Sequence, residues 1–124
     1  LNKAYFAKAT ATAVVFFNTG CIACKTEMDI LEAAKKQFGE KLQTVAVSVD
    51  MMGEKAVAGY QKMHNFSVTY VLDPDFQIAP QFEFDSTPAF MMVDKAGKIV
   101  SKKKGYNPNV DRDTVIAMIK DRLK

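Results

Sequence analysis

The segment from Ala13 to Glu27 constrains this chain more than any other. A short apolar run, Val14-Val15-Phe16-Phe17, ends in the polar turn Asn18-Thr19-Gly20, and Cys21-Ile22-Ala23-Cys24 then opens a segment of helical spacing. These two cysteines are the only ones in the protein. Two intervening residues put both at the mouth of the first helical turn, projecting from the end of a buried strand. A C-x-x-C pair placed between a strand and a helix reads as a dithiol/disulfide redox site.

The rest of the chain supplies the frame for that site. Thr12 to Phe17 is apolar enough to be covered on both faces. A helix is predicted from Cys21 to Phe38, with Met28, Leu31, Ala34 and Phe38 on its inner face and Lys25, Glu32, Lys35 and Lys36 outward, stopped by Gly39. Leu42 to Val49 is a second strand. Glu54 to Asn65 is a second helix, with Val57, Tyr60 and Met63 inward. Val68 to Leu72 is a third strand, ended by the turn Asp73-Pro74-Asp75.

A short helical piece from Phe76 to Phe82, limited by Pro80, precedes a hairpin of Ala89–Val93 and Ile99–Lys104 around Lys95-Ala96-Gly97-Lys98. The last helix spans Asp111 to Leu123, with Val115, Met118, Ile119 and Leu123 on one face. Tyr5 and Phe6 are expected to pack on the domain edge. This order predicts an α/β fold in one domain spanning residues 1–124, its sheet parallel at first and antiparallel at the end.

Composition narrows the function classes. Acids and bases nearly balance, 14 against 17, for a net charge of +3, too mild to indicate nucleic acid or an anionic membrane. No apolar run is long enough to span a bilayer. The chain opens at Leu1 without an initiator Met or a charged-then-apolar leader. It therefore reads as a mature or trimmed form, compatible with a removed export signal or membrane tether.

A thiol attacks only as thiolate, and Cys21 sits where a helix begins, facing unpaired backbone N–H groups and the positive end of the helix dipole. Lys25 adds a cation one turn away. Cys24, one turn deeper, keeps its proton longer, so Cys21 is the expected nucleophile and Cys24 the resolving thiol. A zinc site would need further ligands, and the only histidine, His64, is expected on a distant helix, solvated or as a helix-end charge partner. Haem attachment would need a histidine where Lys25 stands. Glu27, three residues after Cys24, shares its helical face; it is either an acceptor for the Cys24 proton or a solvated first-turn acid. Thr87-Pro88 precedes a strand, where trans is the ordinary isomer.

Together these landmarks resemble the thioredoxin superfamily, and within it the TlpA/ResA-type thiol-disulfide oxidoreductases. The resemblance runs from Thr12 to Tyr106. It is carried by Cys21-Ile22-Ala23-Cys24-Lys25-Thr26-Glu27-Met28, Val45-Ala46-Val47-Ser48-Val49-Asp50, Val71-Leu72-Asp73-Pro74-Asp75, Thr87-Pro88-Ala89-Phe90 and Met92 to Val100. It implies a thioredoxin-like fold, a central mixed β-sheet flanked by helices on both faces. It also implies a cis Pro88 facing the cysteines, a Thr87 backbone that pairs with a substrate strand, and Glu27 as the active-site acid.

The family further implies no bound cofactor or metal, a disulfide-bearing protein substrate and an upstream thiol electron donor. A monomer in a periplasmic or other extracytoplasmic space is expected, reducing disulfides as in cytochrome c maturation. An oxidase or isomerase of the same fold is the alternative, or, from another class, a metal-binding or interaction module using the cysteine pair. A peroxidase of the peroxiredoxin kind would carry threonine where Asn18 stands.

Departures from the family are equally specific. Gly20 stands where it usually has tryptophan, Ile22-Ala23 replaces a dipeptide containing proline, and Asp29 replaces a common helix proline. Lys102-Lys103-Lys104 reads as protection of an edge strand, or as a docking patch for an acidic partner. The seven methionines are expected in the core.

Overall fold

The computed structural model describes residues 3–73, 75, 77–82, 84, 86–105 and 111–123. Its centre is β1 (Ala11–Phe17), all of it buried. Ala11, Ala13, Val15 and Phe17 point into one apolar cluster, while Val14 and Phe16 point into the other. Burial on both faces is why this strand lacks polar alternation. Thr12 is tolerated inside because its hydroxyl accepts a hydrogen bond from Gln43 Nε2 at 3.1 Å.

The remaining strands are β2 (Leu42–Ser48), β3 (Thr69–Leu72), β4 (Ala89–Asp94) and β5 (Ile99–Lys104). They lie in the order β3-β2-β1-β4-β5. The β1–β2 and β2–β3 pairs are parallel and the β1–β4 and β4–β5 pairs antiparallel, the mixed sheet expected from the element order. Lys102, Lys103 and Lys104 lie on an edge strand, as their run suggests.

One face is covered by α2 (Ile22–Phe38) and α4 (Asp111–Arg122), through Met28, Ile30, Leu31, Val115 and Ile119. α2 is continuous for 17 residues. It ends at Gly39, whose φ of 58° suits a residue without a Cβ and whose N–H reaches the Lys35 carbonyl. The opposite face is closed by shorter pieces: Tyr5 and Phe6 of α1 (Lys3–Phe6), with Ile78, Phe82 and Phe84. No helix among the described residues is long and apolar enough to cross a membrane.

Three expectations change. The piece expected from Phe76 is a 3-10 turn confined to Ala79–Phe82. Upstream of it, the Gln77 and Ile78 N–H groups donate to the Asp73 carboxylate instead of to helical carbonyls. Pro74, Phe76 and Tyr106 lie outside the described residues. α3 (Glu54–Met63) stops two residues early because His64 is extended, at φ −132° and ψ 119°. Val57 and Tyr60 are buried there, but Met63 is 78% exposed, and it is Phe66, packed with Tyr60 and His64, that joins the core next. The methionines also divide: Met28, Met91 and Met92 are buried, whereas Met51, Met52 and Met63 face solvent.

Candidate active site

Cys21 is the N-cap of α2, one residue outside the helix predicted to include it, with extended backbone at φ −91° and ψ 109°. Its carbonyl accepts the Lys25 N–H, and its Sγ accepts the Cys24 N–H at 3.1 Å. The sulfur thus receives one of the N–H groups that a helix start leaves unsatisfied. Cys21 and Cys24 are joined in a disulfide with their Cα atoms 5.2 Å apart. The two ends differ sharply: Cys21 is half-buried and Cys24 is 0% exposed. Only Cys21 can be approached from solvent.

Glu27 is 0% exposed and lies one turn below Cys24 on the same side of α2. The solvated first-turn position considered for it is therefore excluded. Lys25, considered as a cation for Cys21, makes an ion pair with Asp29 at 2.8 Å while still lining the cavity beside Cys21.

The Thr87–Pro88 peptide bond is cis. Ala89 pairs with Phe16, so Pro88 stands at the end of β1 from which the cysteine loop departs. Asn18 joins the two segments directly, its Nδ2 donating to Thr87 Oγ1 at 3.0 Å. Asp50 holds the loop from the other side. Its carboxylate accepts from Thr19 N at 3.0 Å, from Thr19 Oγ1 at 2.8 Å and from Ser48 Oγ. Neither Asn18 nor Asp50 is marked by the sequence as a site residue. The signal is weak: Asn18 directly follows β1, and Asp50 follows β2 after Val49, each a polar residue just past a buried strand.

The structure also corrects the placement of His64. It lines the same cavity of about 230 Å³ as Gly20, Cys21, Lys25 and Tyr60. Tyr60 packs on Phe17, just before the cysteine loop, with ring centroids 5.3 Å apart, and His64 packs tilted against Tyr60 at 4.6 Å. A long-range aromatic contact, invisible to local patterning, brings this histidine to the site. Among the described residues there is no group of three or more His, Cys, Asp or Glu able to hold a metal ion.

Two phenols lie behind the site. The Tyr60 and Tyr70 hydroxyls are buried without a hydrogen-bond partner. Burial pushes the Tyr60 phenol up to about 12, reinforced by Tyr70, Asp29 and Asp50. Tyr70 is likewise pushed up to about 12 by burial and then by Glu32.

The chain matches the Redoxin family over residues 2–119. No curated protein sequence matches it significantly. Among solved structures it is similar to the thiol:disulfide interchange protein DsbE from Chlorobium tepidum. The two are 20% identical over 98% of this chain and 85% of that one, with a TM-score of 0.81. The thioredoxin domain of the thiol-disulfide oxidoreductase BVU-2223 from Bacteroides vulgatus is also 20% identical, over 95% and 82% of the two chains, at 0.78. A secreted Mycobacterium tuberculosis disulfide oxidoreductase homologous to E. coli DsbE is 16% identical over 90% and 81%, at 0.73. At these identities the likeness is one of fold, and it is the thioredoxin-like fold.

Proposed function

We propose that this chain, which belongs to the Redoxin family and is a thiol-disulfide oxidoreductase, works in the reducing direction on disulfides of protein substrates. The observation that carries the direction is the setting of the Cys21 sulfur. It is held by the Cys24 backbone N–H, while Ile22 and Ala23 offer it neither charge nor a side-chain donor. Strong disulfide donors depend on a stabilised reduced form. This dipeptide supplies no such stabilisation.

The cycle starts from the dithiol. The Cys21 thiolate attacks one sulfur of a substrate disulfide, the substrate S–S bond breaks, and a first substrate thiolate leaves as the mixed disulfide forms. Cys24 then loses its proton towards Glu27 and attacks Cys21 Sγ. The Cys21–Cys24 bond closes and the second substrate thiolate leaves, so two electrons have passed to the substrate. The leaving thiolates take up two protons, one released by Cys24 and the other from solvent. An upstream thiol donor restores the dithiol.

In this reading the Thr87 backbone, beside Pro88, pairs with the substrate strand, and residues 1–124 act as one monomeric thioredoxin-like domain without a bound cofactor. Likeness to the secreted mycobacterial oxidoreductase supports an extracytoplasmic location, where cytochrome c maturation is one use for such a reductant.

The deciding measurement is the reduction potential of the pair in a dithiothreitol or glutathione redox buffer. A value near or below about −270 mV is expected; one near about −120 mV would reverse the direction.

A further inference from the structure

We propose that His64 is the proton acceptor and charge partner of Cys21: in the reduced protein its imidazole takes the Cys21 proton across their shared cavity, leaving a thiolate–imidazolium pair. This deepens the oxidoreductase reading and rests on it.

His64 is the only histidine in the chain, and it lines the same cavity of about 230 Å³ as Cys21. Three contacts fix it there. Its backbone N–H closes the last turn of α3 on the Tyr60 carbonyl at 2.9 Å. Its ring packs against Tyr60 at 4.6 Å and stacks on Phe66 at 5.6 Å. Both aromatic rings pack in the cluster that holds Cys24 and Phe17. Tyr60 also meets Phe17 directly, at the end of β1 from which the cysteine loop departs. The imidazole is thereby tied to the strand end that carries Cys21.

The other polar side chains of the cavity are committed elsewhere. Lys25 is paired with Asp29 at 2.8 Å. Thr19 donates its hydroxyl to Asp50 at 2.8 Å, and Thr26 donates to the Ile22 carbonyl at 3.4 Å. The Tyr60 phenol and that of Tyr70 behind it, both pushed up to about 12 first by burial, stay protonated near neutrality. Further out, Glu32 of α2 accepts from Ser67, Asp50 also accepts from Ser48, and Lys62 of α3 is exposed. Glu27 is sealed in the layer beneath. Among the described residues, the His64 ring nitrogens make no hydrogen bond or ion pair with the protein. His64 is thus the lining group left to take up a proton near neutral pH.

An imidazole ordinarily titrates at about pH 6.5 and a thiol at about 8.5. Each ionised form favours the other across a shared cavity. The Cys21 proton passes to an imidazole nitrogen, directly or through one water, with no net change of charge. The pair is populated between the two titrations, where a free thiol is mostly protonated and thiolate is scarce. Neutral thiol and neutral imidazole compete with it throughout that window. The reduced form therefore gains reactivity more than stability, and the reducing direction stands. In the disulfide the Cys21 sulfur carries no charge, so the coupling exists only in the reduced protein.

With one histidine in the chain, the imidazole NMR signal follows His64 alone. Its titration midpoint is expected at higher pH in reduced than in oxidised protein, a gain in proton affinity of about threefold to tenfold. Reciprocally, thiolate absorbance of the reduced protein should rise in two steps, the first at about pH 6.5. H64Q should leave one step at higher pH. Alkylation of Cys21 by iodoacetamide should slow about threefold in H64Q at about pH 6.5 and match wild type at about pH 9. Equal midpoints in the two redox states of wild type overturn the pairing, whether or not H64Q folds. So does a two-step rise that survives H64Q, or a slowing that is the same at both pH values. If dithiothreitol does not reduce the Cys21–Cys24 bond reversibly, the oxidoreductase reading itself has failed and the pairing falls with it.

Discussion

The rim of the site and the layer one helical turn beneath it come from the same short segment, yet they do opposite work. Cys21 and Ile22 stand at the open end of α2, while Cys24, Glu27 and Met28 are sealed at 0% exposure. Cys21, Cys24 and Glu27 follow one another at steps of three on one side of α2, so depth along the helix separates the first from the other two, while Ile22, one step on from Cys21, turns to another side. Reactivity is thereby kept at a surface that costs little stability to change. The packing, and with it the proton transfer proposed for Glu27, lies in a layer where every change is felt.

Cys21→Ser and Met28→Ala probe the two sides most strongly. Cys21→Ser should abolish disulfide reduction in an insulin-reduction assay, and undiminished turnover would sink the mechanism. In the reduced state its unfolding midpoint should stay close to that of wild type. Met28→Ala should do the reverse, losing about 2–5 kcal/mol of stability through the cavity it leaves, measured by urea unfolding. Equal stability losses in the two variants would erase the contrast between rim and layer.

Glu27→Gln acts inside the buried layer but on chemistry. Resolution of the mixed disulfide should slow by roughly 10²-fold and its pH profile should move to higher pH, since Cys24 would have to ionise without its acceptor. Stopped-flow capture of the mixed disulfide measures this. An unchanged resolution rate and profile would leave Glu27 a structural residue.

The smallest effect is alkaline. With Tyr60 and Tyr70 raised from 10.0 to about 12, folded and unfolded chains both hold these protons below about pH 10. Between about pH 10 and 12 the unfolded chain releases them first, so stability should fall as pH rises through that window. Urea midpoints of the oxidised protein at pH 9 and 11.5 would show the fall. Tyr60→Phe and Tyr70→Phe should each flatten it, because the buried hydroxyl that resists ionisation is gone.

Much of this was legible in local pattern. The apolar run of β1, the helical spacing of Met28, Leu31 and Ala34, and the Cys21–Cys24 interval are statements about neighbours within a few residues, which backbone geometry turns directly into shape. The buried side of Glu27 was half legible: its interval from Cys24 put it on the right face, but only the packing of α2 against the sheet decided that this face is closed. Met63, Met51 and Met52 were misplaced because apolarity does not say which apolar residues find room inside. His64, Asn18 and Asp50 were out of reach for another reason. The bonds of Asn18 to Thr87 and of Asp50 to Thr19 cross between separate strands and loops, and His64, which touches Tyr60 and Phe66 locally, reaches the site only through the long-range contact of Tyr60 with Phe17.

By itself, then, the sequence determined the order and kind of elements, the family resemblance and the identity of the redox pair, since each depends on short-range periodicity or on a motif of fixed spacing. Tertiary structure alone decided what surrounds that pair: Thr87–Pro88 joined to the loop through Asn18, Asp50 holding it through Thr19, and the aromatic cluster that carries His64 into the cavity. These neighbours are chosen by strand order and register. Both are settled only when the two faces of the sheet are buried together, so no window of local sequence contains them.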